Sequence, residues 1–422
     1  MSGFDPTELG ARAEKMIDAL ASISSEEGRL TRLYLTPEHR RAADLVAEWM
    51  RAAGLTVRMD SAATIHGFRP SAREGQPAAR RLLVGSHIDS VIDAGKYDGT
   101  VGVIAGILAA EEVRARSIDL PFGLEILAFG DEEGVRFPKT LIGSSTVAGT
   151  IEDFVLDITD RSGETIRNAL LRFGCDPAVL KSEGLHRADV IGFLEVHIEQ
   201  GPLLERWNEP LGVVTAIAAQ SRHRVRIAGE AGHAGTVPMA LRHDAVAGAA
   251  EFIAMVEEVA RKGTKDSLVA TVGEISAVPG AVNVIAKEAH LSLDVRASSD
   301  QARADAIETI RGRARQIGAR RGVIIGIETV HEKSVAVCAP RLRKVLSTAI
   351  GDVTGQKAPE LMSGAGHDGL AMAHLTDIGM IFVRCRGGIS HSPFEQVTTA
   401  DLGYAVEALV RAIVEIAREE TA

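Results

Sequence analysis

The chain is poor in the features that would place it outside the cell, in a membrane or on nucleic acid. It has three cysteines in 422 residues: Cys175, Cys338 and Cys385. Their number is odd and their spacing gives neither a CxxC pair nor a disulfide framework, so a reducing compartment fits best. No apolar run approaches the roughly 18 residues of a membrane-spanning helix. The opening Met1-Ser2-Gly3-Phe4-Asp5-Pro6 is polar and lacks the apolar core of a secretory signal. Positive charge is in deficit. Lys plus Arg number 47 against 57 Asp plus Glu, a formal charge of -10. That balance argues against nucleic acid or an anionic membrane as partner. Internal repeats and low-complexity tracts are also missing. The expectation is a cytoplasmic globular protein, for which 45% hydrophobic and 25% charged residues are ordinary. Its length points to two domains.

The first half alternates helical and strand patterns. Apolar spacing predicts helices over Leu9 to Ala21 and Arg40 to Ala53. Arg81 to Val84, Gly123 to Phe129 and Ile191 to Val196 are short apolar runs bounded by turn residues, and Val101 to Val113 is long enough for a buried helix. Such alternation predicts an α/β fold, a mixed, mostly parallel sheet with helices on both faces. The pattern changes near Gly212. Strands are expected within Val213 to Gly229, Leu268 to Val272, Ala289 to Arg296 and Gly322 to Thr329, and helices over His243 to Arg261 and Asp300 to Ile317. This is the split βαβ order of a two-layer α+β, ferredoxin-like domain. From about Cys338 the first pattern returns, with a helix at Arg341 to Ile350 and a strand at Met380 to Arg384. The expected boundaries are 1–212 and 331–422 for a catalytic domain in two parts, with 213–330 inserted between them.

Chemistry-bearing residues gather at the ends of the apolar runs. Gly85-Ser86-His87-Ile88-Asp89 is followed by Asp98-Gly99. Alone, His87 could be a satisfied core histidine and Asp98 a plain turn residue. Asp89, two residues on along a strand, shares the face of His87 and can orient its ring. Gly130-Asp131-Glu132-Glu133-Gly134 could be a solvated acidic turn, yet like charges crowded at the end of a core strand repel unless a cation sits among them. His197 ends another strand, and His391 lies in the Gly-rich turn Arg386-Gly387-Gly388-Ile389-Ser390-His391. Three histidines and several acids at successive strand ends suit two divalent ions sharing Asp98, with one carboxylate spare as general base.

At this point the chain resembles the two-metal aminoacylase and carboxypeptidase-like hydrolases, specifically their N-carbamoyl-L-amino acid hydrolase and allantoate amidohydrolase branch. The segments that carry the resemblance are Gly-Ser-His-Ile-Asp-Ser with Asp98-Gly99, Asp-Glu-Glu-Gly-Val-Arg-Phe at 131–137, His-Ile-Glu-Gln-Gly-Pro at 197–202 and Gly-His-Ala-Gly-Thr-Val-Pro-Met at 232–239. To these are added Asn283-Val284-Ile285, Leu293-Asp294-Val295-Arg296, Ser363-Gly364-Ala365-Gly366-His367-Asp368 and Gly387-Gly388-Ile389-Ser390-His391-Ser392. They run in family order over nearly the whole chain.

The resemblance implies a metallo-aminopeptidase-like catalytic fold with an inserted lid and dimerisation domain, and two divalent ions per subunit, zinc or manganese with cobalt also accepted. It implies His87, Asp98, Glu133, His197 and His391 as ligands, with Asp98 bridging, and Glu132 as the base that activates water. Asp89 would orient His87. His233 would polarise the scissile carbonyl, in this family often from the neighbouring subunit. Gln200, Asn283, Arg296 and Gly366 would face the substrate, Arg296 with the fork that suits a carboxylate. The implied partner chemistry is a small ureido acid and a second copy of the chain. Allantoate is the expected substrate, releasing ammonia and carbon dioxide. N-carbamoyl-L-amino acids and N-carbamoyl-β-alanine remain open, as does a homologue that binds without catalysis. One departure is visible: the loop after Asp89 reads Val-Ile-Asp-Ala-Gly where relatives often carry paired glycines, so Asp93 adds charge.

Overall fold

The computed structural model describes residues 5–72, 80–263 and 267–421. The chain divides into two compact units, Met1–Thr215 with Val337–Ala422, and Ala216–Ala336.

The first unit is built on a nine-stranded mixed sheet. Its order is Thr56–Met59, Ile65–Arg69, Gly123–Phe129, Arg81–His87, Val190–Ile198, Ile378–Val383, Leu211–Ile217 and Ala336–Val337, with Glu360–Ser363 also pairing to Leu211–Ile217. The middle four strands are parallel, and antiparallel strands flank them. Buried on both faces, these middle strands read as continuous apolar runs. Alternation assigns their residues to opposite faces. Leu82, Val84, Ile126, Leu194 and Val196 join one core with the helices Pro6–Ala21, Pro37–Ala52, Thr100–Ala115, Pro340–Thr354 and Thr399–Glu419. Leu83, Leu127 and Phe193 are equally buried on the other face, where Gly369–Met372 packs on Val190–Ile198 and on the helix Ile142–Val147. His87 and His197 share the parity of Leu83 and Phe193 and belong to that second face.

Several bounds differ from the periodicity for local reasons. The first two helices begin three residues early, at Pro6 and Pro37, because Asp5 and Thr36 accept backbone N–H groups as N-caps and proline suits the first turn. The strand Leu211–Ile217, expected in part at the start of the insertion, instead pairs with Ile378–Val383 in the large sheet. The second unit accordingly starts at Ala216.

That unit has a five-stranded antiparallel sheet, in the order Ile275–Val278, Glu288–Ala297, Ala219–Ala228, Ile324–Lys333. The strand expected over Leu268 to Val272 is present as Val269–Thr271, and a further strand, Ile275–Val278, follows it; both pair with Glu288–Ala297, and between them the Glu274 N–H donates to Ser292 Oγ. The helices Ala245–Lys262 and Asp300–Arg321 cover one face of this sheet through Val225, Ile227, Leu291, Leu293 and Val295. With its strand–helix–strand–strand–helix–strand order, this is the ferredoxin-like layer pair. Among the described residues, no helix is long and apolar enough to cross a membrane.

Candidate metal centre

The carboxyl ends of the four parallel strands converge on one place, where open α/β sheets put their sites. His87 closes Arg81–His87, and His197 lies one residue from the end of Val190–Ile198. Glu132 and Glu133 follow Gly123–Phe129 by a few residues, and His391 lies in the turn after Ile378–Val383. Asp98 is delivered by the turn that starts the buried helix Thr100–Ala115. Gly99 is required there twice over. Its φ is +66°, and a Cβ on it would lie 2.5 Å from the His87 ring.

Asp98 is the hub. Its Oδ1 lies 3.0 Å from His197 Nε2 and 3.5 Å from His87 Nε2. Its Oδ2 lies 3.4 Å from His391 Nε2, and that nitrogen is 3.6 Å from Glu133 Oε2. The two oxygens therefore face two different sets of donors. The ring tautomers fit this arrangement. His197 Nδ1 meets the Ile198 carbonyl at 2.9 Å, and His87 Nδ1 meets the Asp89 carbonyl at 3.2 Å and its Oδ1 at 3.3 Å. Both rings are thus anchored through Nδ1 and turn Nε2 inward. Two groups of ligand atoms, each within 4.8 Å of one another, result: His87–Asp98–His197 and Asp98–Glu133–His391. A third such group, His87–Glu132–Glu133, brings in the second glutamate.

The charge balance fits cations in this donor set. Burial and the neighbouring Asp98 push the Glu133 carboxyl up to about 8. Burial also raises Glu132, with Asp89 and Asp98 adding to the rise. Burial alone would raise Asp98 as well, but His197, His391 and His87 hold it well below the usual carboxylate range. A cation among these groups relieves the repulsion that keeps the two glutamates from ionising.

Asp89 contacts more than His87. Its Oδ1 accepts the Glu132 N–H at 3.1 Å and its Oδ2 the Glu133 N–H at 3.2 Å. One buried carboxylate thus sets an imidazole and the backbone that carries both glutamates. Burial opposes its charge, but the bond and charge of His87, the nearby His39 and the Glu132 N–H keep its pKa below the ordinary value. Asp89→Asn keeps the size but leaves one of the N–H groups facing an amide NH2. Metal affinity or turnover is expected to fall about 10–100-fold, read by calorimetric metal titration of the folded variant. Wild-type affinity together with wild-type turnover would remove Asp89 from this role.

The match to known proteins extends the same pattern. Residues 83–415 match the model of peptidase family M20/M25/M40. The chain belongs to this family. It is 41% identical to an allantoate deiminase of Arabidopsis thaliana, over 94% of this chain and 80% of that one. It is 38% identical to an N-carbamoyl-L-amino-acid amidohydrolase of a Pseudomonas species, over 94% and 96%. A solved hydantoinase/carbamoylase family amidase from Burkholderia ambifaria superposes with a TM-score of 0.89 at 30% identity, covering 98% of both chains. This chain is a hydrolase of amide C–N bonds.

The remaining expected residues fall in both units. Gln200 donates from Nε2 to Asp98 Oδ2 at 2.8 Å and to Ser390 Oγ at 3.1 Å, which places it against the hub. A Cβ on Gly366 would lie 3.5 Å from Glu132 Oε1, so this loop borders the second glutamate. In the inserted unit, His233 is exposed and its Nδ1 accepts the Gly235 N–H at 3.0 Å. Val284, next to Asn283, pairs with His233 in a two-stranded ribbon. Arg296 donates from Nε to Asp294 Oδ1 at 2.8 Å. Asp93 adopts a left-handed φ of 55°, which Asp tolerates better than most residues. The left-handed backbone of Gln200 (φ 56°) and His391 (φ 54°) aims both side chains and costs roughly 1–3 kcal/mol each.

Sequence reasoning missed several supports. Arg32 is buried and donates from Nε to the Ile88 carbonyl at 2.6 Å, inside the His87–Asp89 motif. Glu195, two residues before His197, accepts Ser86 Oγ–H and the Gly369 N–H, both at 3.0 Å. Glu395 touches both the Asp98 and His391 segments. No local signal marks these residues, because each has a partner far away in the chain.

Proposed function

We propose that this chain is a dinuclear metal-dependent amidohydrolase that cleaves the ureido group of allantoate. The observation that carries the reading is the division of Asp98, one oxygen toward His87 and His197 and the other toward His391 beside Glu133. His87, Asp98 and His197 would hold one ion, and Asp98, Glu133 and His391 the other. Zinc, manganese and cobalt all accept such mixed nitrogen and oxygen donors. Bound there, the ions act as Lewis acids that acidify water and polarise a carbonyl.

The chain's own residues supply the rest. Glu132, outside both triplets, takes the proton of the attacking water and returns it to the departing nitrogen. Gln200 and the loop at Gly366 border the reacting group. His233 stabilises the developing oxyanion, and Asn283 and Arg296 hold the substrate carboxylate. One water is consumed per ureido group, and ammonia, carbon dioxide and the amine are released. We place the enzyme in the cytoplasm, as its three free, buried cysteines suit, and infer a homodimer formed through the inserted unit.

Support for allantoate is the higher identity to the Arabidopsis deiminase. The second reading is an N-carbamoyl-L-amino acid hydrolase, favoured by the Pseudomonas relative that this chain matches over nearly its full length. Ammonia release is measured with allantoate, a panel of N-carbamoyl-L-amino acids and N-carbamoyl-β-alanine, each with Zn, Mn and Co. Allantoate is expected to lead in kcat/KM by about tenfold or more. A carbamoyl amino acid in front would transfer the assignment to the second reading.

A further inference from the structure

We propose that Glu395 is a positioning residue that holds Asp98 and His391 in register, and that the ion shared by Asp98, Glu133 and His391 depends on it. The proposal rests on the ligand reading given above and goes beyond it, since Glu395 touches no ligand side chain of that set directly. Its Oε2 accepts the backbone N–H of Tyr97 at 3.1 Å and of Asp98 at 3.3 Å. Its Oε1 lies 3.1 Å from the His391 N–H and 3.1 Å from Ser390 Oγ. One carboxylate therefore clamps two loops separated by 297 positions in the chain. Ser390 completes the link, because its Oγ also lies 2.7 Å from Asp98 Oδ2 and receives Gln200 Nε2 at 3.1 Å.

The surroundings are shaped for this clamp. Glu395 is buried, whereas Phe394 beside it is exposed. Its own N–H donates to the Ser392 carbonyl at 3.1 Å, closing the turn that carries His391. Gly95 has no left-handed φ to require glycine. A Cβ there would sit 2.1 Å from Glu395 Cδ, so glycine is needed to let the carboxylate through. An ionised carboxylate has lone pairs for the three backbone N–H donors, two at one oxygen and one at the other, whereas an amide has an acceptor at one end only. Asp98 belongs to both triplets, but the clamp ties its backbone to that of His391, whereas His87 and His197 are anchored by other groups, so loss of the clamp bears chiefly on the triplet that contains His391.

The test is a Co²⁺ titration of the metal-free full-length chain, followed by calorimetry and visible absorption, for wild type, Glu395→Gln, Glu395→Ala and Gly95→Ala. Wild type is expected to take two ions. The Ala variant is expected to bind one ion as wild type does and the second about 10–100-fold more weakly, with Gln in between. Gly95→Ala should weaken the same ion while leaving the carboxylate in the chain. Raising Co²⁺ should restore kcat at unchanged KM, and the circular dichroism of the apo variants should match wild type. Two ions bound with wild-type affinity in both Ala variants would overturn the proposal. So would equal weakening of both ions, or loss of folded structure in every variant, because either outcome marks a general structural role. A wild-type chain that takes fewer than two ions overturns the ligand reading itself, and the wild-type titration alone distinguishes that failure.

Discussion

Glu132→Gln is expected to retain both ions and to lose about 10²–10⁴-fold in kcat. Gln has the same length and shape, and the substitution leaves the backbone N–H of residue 132 bonded to Asp89. Neither ligand triplet that shares Asp98 includes Glu132. What disappears is the only property the mechanism asks of this side chain, the ability to take a proton and give it back. Its surroundings suit that work. Burial beside Asp89 and Asp98 raises its pKa above that of a free glutamate, which moves a weak base toward the working pH. The measurement is kcat with metal content determined on the same sample by elemental analysis. A variant within a few-fold of wild type, fully loaded, would end the assignment. A variant that has lost metal would reassign Glu132 as a ligand.

Asp98→Ala is expected to have the other large effect, loss of both ions and of turnover. Asp98 is the member common to both triplets, and it is the acceptor toward which three imidazole nitrogens point. Its removal leaves His87 and His197 facing each other with ring centroids 5.8 Å apart and no anion between them. It also takes away the acceptor of Gln200 and of Ser390. Metal affinity is expected to fall at both positions by at least about 100-fold, beyond the loss that follows removal of a supporting residue. Two tightly bound ions in Asp98→Ala would show that the triplets are independent and that Asp98 is no bridge.

How far the sequence led depended on the range over which each signal acts. The parallel centre of the large sheet was legible because Gly123–Phe129 and its neighbours are short apolar runs bounded by turns. The layer order of the insertion was legible because period 2 and period 3.6 alternate there. The edge strand Thr56–Met59 and its neighbour Ile65–Arg69 were not read, since they are short and carry no apolar run. The further strand Ile275–Val278 was also hidden, because it is set by pairing with Glu288–Ala297. In the site, residues with metal-binding chemistry announced themselves by type and position. Arg32, Glu195 and Glu395 did not. An arginine that holds a carbonyl, or a glutamate that accepts two distant N–H groups, looks like any other until the fold brings its partners near.

The order in which the proposed ligands occur along the chain has a consequence for synthesis. His87, Asp98, Glu133 and His197 all precede the inserted unit, whereas His391 and its supporting strand Ile378–Val383 follow it. A growing polypeptide therefore emerges with one triplet written in full, and with the other lacking its imidazole until the insertion has been made. The sheet has the same history, because Ile378–Val383 must slot between Val190–Ile198 and Leu211–Ile217, two strands made long before it. The candidate metal centre is thus among the last parts of the first unit to be completed.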